Sequence, residues 1–161
     1  MKLPRVIRLD QSDVYVFEPA AEAGELAVPG GFAFAGRDPA ALAGKQQLAF
    51  RNGWLGLDSF GRASLVEVAE VEEADFFAAV ERLARHFVEA YGAPALGAAL
   101  PVARLELEEA SGLCEHKLHT LLSLERDLDE AGELVERFRV VLPERAADHA
   151  PIWRIVEDGE A

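Results

Sequence analysis

Three residues that can bind a metal ion lie close together in the sequence. Cys114, His116 and His119 fall within one short segment, and thiolate and imidazole groups are preferred ligands of zinc. A helix would place the two histidines on one face, whereas an extended chain would place Cys114 and His116 together. Neither arrangement supplies enough ligands alone. The residues that could complete a zinc site are Glu108, Glu109, His86 and His149. The alternative interpretation is a surface turn with polar side chains.

The same segment contains the residue types used in nucleophilic catalysis. A Cys114 thiolate could attack a substrate with His116 or His119 as its base. A reactive thiolate needs an electropositive and partly exposed setting, and neighbouring acidic residues such as Glu115 oppose that. We therefore expect Cys114 to be a small residue of the hydrophobic core.

Three aromatic residues are candidates for a ligand pocket or a partner surface. Trp54 and Phe60 lie among glycines, where they would either line such a surface or pack a tight hairpin. Trp153 lies in a mostly polar C-terminal stretch together with apolar residues such as Ile152 and Ile155. We expect this stretch to fold back onto the domain or to dock on another chain.

Several nucleotide-binding and hydrolase motifs are incomplete. Gly44 and Lys45 resemble part of a phosphate-binding loop, but Pro39 and Gln46 occupy the positions that require glycine and a hydroxyl residue. The sequence contains neither the GxGxxG dinucleotide fingerprint nor the GxSxG nucleophile elbow. The motifs therefore predict no cofactor, and zinc remains the one candidate.

The composition argues against several classes of partner. The 161 residues carry a formal net charge of −13, which repels phosphate backbones and anionic lipid surfaces. We expect neither nucleic acid nor a membrane as partner. A single cysteine excludes an intrachain disulfide, and no apolar run approaches the roughly 20 residues of a membrane span. The absence of a signal peptide predicts a cytoplasmic protein.

Periodicity predicts one long amphipathic helix at residues 73–91. Phe76, Val80, Leu83, Phe87 and Tyr91 repeat at helical spacing, and Phe77, Ala84 and Val88 widen the same stripe. Two further helices are predicted at residues 39–51 and 101–114. The first would be capped by Asp38.

Alternating or β-branched segments predict strands arranged mainly as hairpins. The predicted strands cover residues 6–9, 14–17, 32–34, 54–57, 64–71, 120–129 and 133–142. The pattern predicts an α+β fold in which two to three helices pack on one face of a largely antiparallel sheet. We expect a single domain over residues 1–161, with residues 143–161 as a C-terminal tail.

Several short segments together resemble one uncharacterised family of small bacterial proteins, a domain of unknown function. They are RLD at 8–10, SD at 12–13, VFE at 16–18, FAFAG at 32–36, NGWLG at 52–56, SFG at 59–61, TLL at 120–122, DEAGE at 129–133 and FR at 138–139. The resemblance spans residues 3–142. It implies one bacterial, cytoplasmic domain and no established activity, cofactor or substrate.

The residues favour a binding function over catalysis. No catalytic motif is complete, and apolar residues remain outside the predicted core stripes. We therefore expect a non-catalytic binding or accessory protein that acts through protein–protein contact and forms a homodimer. The alternative is a small enzyme or metal-binding protein with its site at Cys114, His116 and His119.

Overall fold

Two antiparallel sheets organise the protein in the computed structural model, which describes residues 1–144 and 152–157. The large sheet has five strands in the order β1-β5-β6-β7-β8. These are β1 Lys2–Val6, β5 Val66–Glu70, β6 Leu121–Leu128, β7 Leu134–Glu144 and β8 Ile152–Glu157. The small sheet has the order β2-β3-β4. Its strands are β2 Ala27–Val28, β3 Trp54–Gly56 and β4 Arg62–Ala63.

Four α-helices connect these strands within the described part of the chain. They are α1 Ser12–Val16, α2 Lys45–Asn52, α3 Glu73–Tyr91 and α4 Leu96–Gly112. The α3 helix ends where Gly92 adopts a left-handed conformation with φ of 72°, which a glycine tolerates without strain. None of the helices described is long and apolar enough to cross a lipid bilayer.

The small sheet packs against both the helices and the large sheet. Val28 and Leu55 belong to a core cluster with the buried faces of α3 and α4. Their sequence neighbours Ala27 and Trp54 belong to a second cluster, with apolar residues of the large sheet. Because successive side chains of a strand alternate between its faces, the small sheet contributes to both cores. The α+β class and the largely antiparallel pairing are thus confirmed.

The long α3 helix forms as the periodicity predicts, with the predicted bounds. Phe76, Leu83 and Phe87 are all buried against α4 and the small sheet. Phe77 and Tyr91 are the exceptions, since both are nearly half exposed. The Arg104 guanidinium lies over the Phe77 ring at 5.6 Å. Because Phe77 and Tyr91 are partly exposed, the buried apolar stripe of α3 is narrower than the sequence predicts.

The prediction of a strand at residues 14–17 is wrong, because residues 12–16 form α1. The Asp10 carboxylate accepts a hydrogen bond from the Ser12 amide at 2.8 Å and turns the chain. The buried Asp13 carboxylate accepts from the Ser64 hydroxyl at 2.7 Å. These contacts outweigh the β propensity of Val14 and Tyr15.

Two further elements around residues 30–51 also differ from the prediction. Residues 32–34, predicted as a strand, lie in the 3₁₀ turn Gly31–Phe34. Asp38 caps its predicted helix by accepting from the Ala40 amide, but that helix is only the 3₁₀ turn Pro39–Ala41. Gly44 has φ of 56°, which interrupts the helical path, so α2 begins one residue later.

The predicted strand at residues 64–71 and the helix predicted at residues 101–114 have different bounds in the structure. The pair of strands around residue 60 is β3 with β4, whereas β5 lies in the large sheet beside β1 and β6. The α4 helix begins five residues earlier than predicted, at Leu96, and contains Pro101 within its length.

The hairpin of β6 and β7 confirms the prediction for residues 120–142. Its register pairs Leu122 with Val140 and Leu124 with Phe138. The next pair of the same parity, Arg126 with Glu136, is charged, and Arg126 is fully buried. Beyond β7, the β8 strand pairs with it antiparallel, so part of the predicted tail extends the large sheet.

Candidate functional site

An apolar hollow of about 430 Å³ opens at the surface of the protein between α1, α2 and the β6–β7 hairpin. Its volume is within the range of pockets that bind small molecules or anchor residues of a partner. The lining residues are Leu9, Val16, Phe17, Leu48, Asn52, Ser64, Leu65, Ser123, Leu124, Glu125, Arg139 and Val141. We call this feature the hollow.

Main-chain and side-chain hydrogen bonds hold the walls of the hollow in place. Asn52, the last residue of α2, donates from Nδ2 to the Leu124 carbonyl at 3.1 Å and so fixes α2 on β6. Ser64 donates its hydroxyl to Asp13 and fixes α1. The hollow is therefore bordered by elements that are anchored to their neighbours.

Three of the polar residues that line the hollow have partners within the protein. The Asn52 amide and the Ser64 hydroxyl make the hydrogen bonds just described. Glu125 forms an ion pair with Arg137 at 3.2 Å. Most of the remaining lining is apolar, with Ser123 and Arg139 as its other polar residues.

Exposed apolar side chains lie in the lining of the hollow and on the neighbouring α1 helix. Leu9 and Leu48 line it and are 44% and 41% exposed. In α1, Val14 is similarly exposed, and Tyr15 is 75% exposed. Single apolar residues are common on surfaces, but a concave patch with an apolar rim is typical of an interaction site.

Charges of opposite sign lie on α2 and on the segment that contains α1. The α2 helix carries Lys45 and Arg51 and no acidic residue. The segment 9–18, which contains α1, carries three acidic residues and no basic one. Two of these, Asp10 and Glu18, are exposed, and Lys45 lies 3.5 Å from the Glu18 carboxylate.

The predicted metal-binding segment is divided between the core and the surface. Cys114 is buried and packs in the cluster that contains Val68 and Leu122. The His119 side chain is 72% exposed, with Nδ1 2.6 Å from the Glu67 carboxylate. Within the residues that the structure describes, no group of three or more His, Cys, Asp or Glu side chains could hold a metal. The zinc site stays a prediction.

The three aromatic candidates do not meet at one site. Trp54 is fully buried and packs against Phe138 at 5.6 Å between ring centroids. Phe60 stacks on His86 of α3 at 3.8 Å. Position 153 lies in β8 in register with Pro143, and the Trp153 side chain is outside the described part. Neither Trp54 nor Phe60 lines the hollow.

Buried charged residues are the features that sequence reasoning missed. Arg62, Arg126, Asp13 and Glu25 are all less than one tenth exposed. The parity of Arg126, which it shares with Leu122 and Leu124, was the one available signal. No comparable pattern marks Glu25, which accepts most of its hydrogen bonds from Asp58 and Ser59, more than thirty residues away.

Comparison with known proteins identifies a family but no activity. No curated protein and no solved structure matches the chain. Residues 1–154 match a family of unknown function, DUF6505, which agrees with the resemblance drawn from the short segments. The chain therefore belongs to the family of unknown function DUF6505.

Proposed function

We propose that the protein is a non-catalytic binding or accessory protein that acts through protein–protein contact at the hollow and self-associates there. The observation that carries the proposal is the apolar hollow with its partly exposed rim at Leu9 and Leu48. Apolar anchors that fill a pocket supply most of the energy of protein–protein interfaces.

The chemistry of the lining supports binding rather than reaction. Catalytic groups need free donors or acceptors directed at a substrate, whereas Asn52, Ser64 and Glu125 are engaged by other protein groups. Such a lining suits an apolar side chain from a partner. The cellular location proposed is the bacterial cytoplasm, which is supported by a single cysteine that forms no disulfide.

The proposal is tested by measuring the molar mass in solution across protein concentration. We expect the wild-type chain to form a dimer at micromolar concentration, and Leu48→Glu to shift it to the 17.5 kDa monomer. A charged group at the rim prevents burial of that surface. Leu105→Glu is the matched control, because Leu105 is 55% exposed on α4 away from the hollow. A wild-type monomer at every concentration contradicts self-association.

One observation favours the alternative of a metal-binding protein. The Glu67 carboxylate holds the His119 ring through Nδ1, and its second oxygen contacts Arg5 at 3.2 Å. Carboxylates orient metal-binding histidines in this way. Metal analysis of freshly purified protein, together with melting before and after chelation, tests this alternative. Stoichiometric zinc that is lost in His119→Ala supports it, and metal-free protein with unchanged melting excludes it.

A further inference from the structure

We infer that His119 is a modification site that accepts a phosphoryl group at Nε2, with the Glu67 carboxylate stabilising the imidazolium that forms. Neither residue lines the hollow, so the inference goes beyond the proposed function and does not depend on self-association. Three observations carry it: the fixed orientation of the ring, the unengaged second nitrogen of an exposed imidazole, and the basic residues beside the turn.

A half-shielded carboxylate fixes the ring of His119. Nδ1 lies 2.6 Å from Oε1 of Glu67, whose side chain is only 14% exposed. Oε2 of the same carboxylate accepts from Arg5 Nη2 at 3.2 Å, so a rotation of Glu67 would break both contacts. Because an ionised carboxylate can only accept, the neutral ring carries its hydrogen on Nδ1 and keeps a lone pair on Nε2.

The backbone at His119 is held in a conformation that few side-chain-bearing residues adopt. Its φ is 70°, which lies in the left-handed region and carries a free-energy cost. Two hydrogen bonds offset that cost. The His119 amide donates to the Val68 carbonyl at 2.8 Å, and the Thr120 hydroxyl donates to the Lys117 carbonyl at 2.7 Å. The turn before β6 therefore holds the imidazole in one position.

The second ring nitrogen of His119 is open to a reagent. The side chain is 72% exposed, and Nε2 makes no hydrogen bond to any residue that the structure describes. A nucleophilic side chain needs a lone pair, a path of approach and a neighbouring group that supports the charge it acquires. His119 has all three, because Glu67 supplies the last.

Basic residues lie beside this turn, although the protein as a whole is acidic. With a net charge of −13, most of the surface repels an anionic phosphoryl donor. Lys2 donates from Nζ to a backbone carbonyl of the turn, Arg5 contacts the carboxylate that holds His119, and Lys117 is exposed within the turn. This local positive charge favours a phosphoryl group over an uncharged electrophile.

The transfer step balances with a small phosphoryl donor whose leaving group departs readily, such as phosphoramidate. The Nε2 lone pair forms the new N–P bond, and the electron pair of the donor's own N–P bond leaves with ammonia. The ring gains a positive charge while Nδ1 keeps its hydrogen. The Glu67 carboxylate, 2.6 Å from Nδ1, stabilises that charge, as a carboxylate stabilises the imidazolium of a catalytic triad.

Reaction of the full chain with phosphoramidate tests the inference. Mass spectrometry of fragments locates the phosphoryl group, and phosphorus NMR distinguishes the Nε2 product from the Nδ1 product. We expect His119 to be modified at Nε2 at least about tenfold faster than His116 in the same turn, the size of effect that an orienting carboxylate supplies. Equal rates at the two histidines, or an Nδ1 product at His119, would overturn the inference.

Two matched substitutions test the role of the carboxylate. Glu67→Gln should slow modification of His119 at least about tenfold, because the amide can still accept from Nδ1 but no longer balances the positive charge. Glu70→Gln is the control, since it removes the same charge from β5 at an exposed residue that contacts the N-terminus instead. Circular dichroism confirms that both variants fold. Equal rates in the two variants overturn the inference, and if Glu67→Gln does not fold, the site and nitrogen modified in the wild type decide it.

The oligomeric state is measured separately on the same samples. A monomeric wild type with selective modification of His119 contradicts the proposed self-association and leaves this inference standing. A dimer in which His119 reacts no faster than His116 does the reverse.

Discussion

Arg62 and Arg126 donate to the same backbone carbonyl groups. Arg126 donates from Nη2 to the Pro29 carbonyl at 2.7 Å, and Arg62 donates from Nη1 to the Gly53 carbonyl at 3.1 Å. Through longer hydrogen bonds, Arg126 also reaches the Gly53 carbonyl and Arg62 also reaches the Pro29 carbonyl. The guanidinium groups also lie over the Phe34 ring, that of Arg126 at 5.5 Å and that of Arg62 at 4.9 Å from the ring centroid. Burial, together with the charge of Arg126, lowers the pKa of Arg62 to about 9.

We predict that Arg126→Met is strongly destabilising. It removes the hydrogen bonds to the Phe50 and Pro29 carbonyls and leaves Glu136 without its partner. Removing one partner of a buried ion pair costs on the order of 3 kcal/mol of unfolding free energy. We expect a loss of this size in urea denaturation. The control is Arg137→Met, because the exposed pair Arg137–Glu125 contributes less than about 1 kcal/mol. Equal losses in the two variants would contradict a structural role for the buried arginine.

The second prediction concerns the buried carboxylate of Glu25. It accepts hydrogen bonds from the amides of Glu22, Asp58 and Ser59 and from the Ser59 hydroxyl, at 2.6 to 2.9 Å. We expect Glu25→Gln to lower the unfolding free energy at pH 7 by about 1–3 kcal/mol. Glu22→Gln, an exposed change in the same loop, should have little effect.

The loss in Glu25→Gln should depend on pH in one direction. Burial alone would raise the pKa of Glu25, but the hydrogen bonds from Ser59, Glu22 and Asp58 together lower it below 4.5. A carboxylate with a lowered folded pKa stabilises the protein above its unfolded pKa, and this contribution is lost as pH falls through the folded value. The difference between wild type and Glu25→Gln should therefore shrink below about pH 4.5 in urea melts. If the difference in unfolding free energy grows in acid, the stabilising role of the ionised Glu25 carboxylate is contradicted.

The third prediction concerns Glu106, whose contribution to stability has the opposite pH dependence. Burial, then the charges of Glu109 and Glu136, raises the pKa of Glu106 to about 7. The folded protein therefore holds this proton more tightly than the unfolded chain, and stability falls as pH rises from about 4.5 through 7. We expect Glu106→Gln to be more stable than wild type at pH 8, by on the order of 1 kcal/mol after solvent screening, and equal to it at pH 4. Glu108→Gln, an exposed change on the same helix, is the matched control.

The fourth prediction concerns the thiol of Cys114. The residue is 1% exposed and lies in the core cluster of the two sheets. We expect a neutral thiol reagent to label native protein at least about 100-fold more slowly than protein unfolded in guanidinium, because a buried thiol reacts only on opening. Rapid stoichiometric labelling of folded protein would instead support the nucleophilic alternative.

Elements stabilised by their own periodicity could be predicted from the sequence. The α3 helix has the predicted bounds, because its apolar stripe recurs over five turns and Gly92 supplies the left-handed cap. The β6–β7 hairpin also follows its pattern, since the pairing of Leu122 with Val140 continues the alternation on both strands. In both cases the pattern of residues that are close in sequence is enough to predict the element.

Elements fixed by distant contacts could not be predicted in this way. The α1 helix depends on the bond between Asp13 and Ser64, which are 51 positions apart. The sequence predicts one strand at residues 64–71, but the residues that pair with β3 are those of β4, just before it, and β5 pairs with β1 and β6. Local propensity contains no information about which sheet a strand joins.

The hollow could not be predicted from the sequence for the same reason. Its lining comes from α1, α2, the β6–β7 hairpin and the connection to β5, and no motif marks these residues. The buried Arg126 lies at an alternation position that predicts an apolar residue. It is buried because three backbone carbonyls, from the segment before the 3₁₀ turn Gly31–Phe34 and from the end of α2, converge on it. Convergence of this kind exists only after folding.

The short connection between β4 and β5 links the two sheets mechanically. Ala63 ends a strand of the small sheet and Val66 begins one of the large sheet, so only Ser64 and Leu65 separate them. Both residues also form part of the wall of the hollow. Any sliding of one sheet over the other must therefore displace that wall. We therefore expect occupation of the hollow to restrict the relative movement of the two sheets.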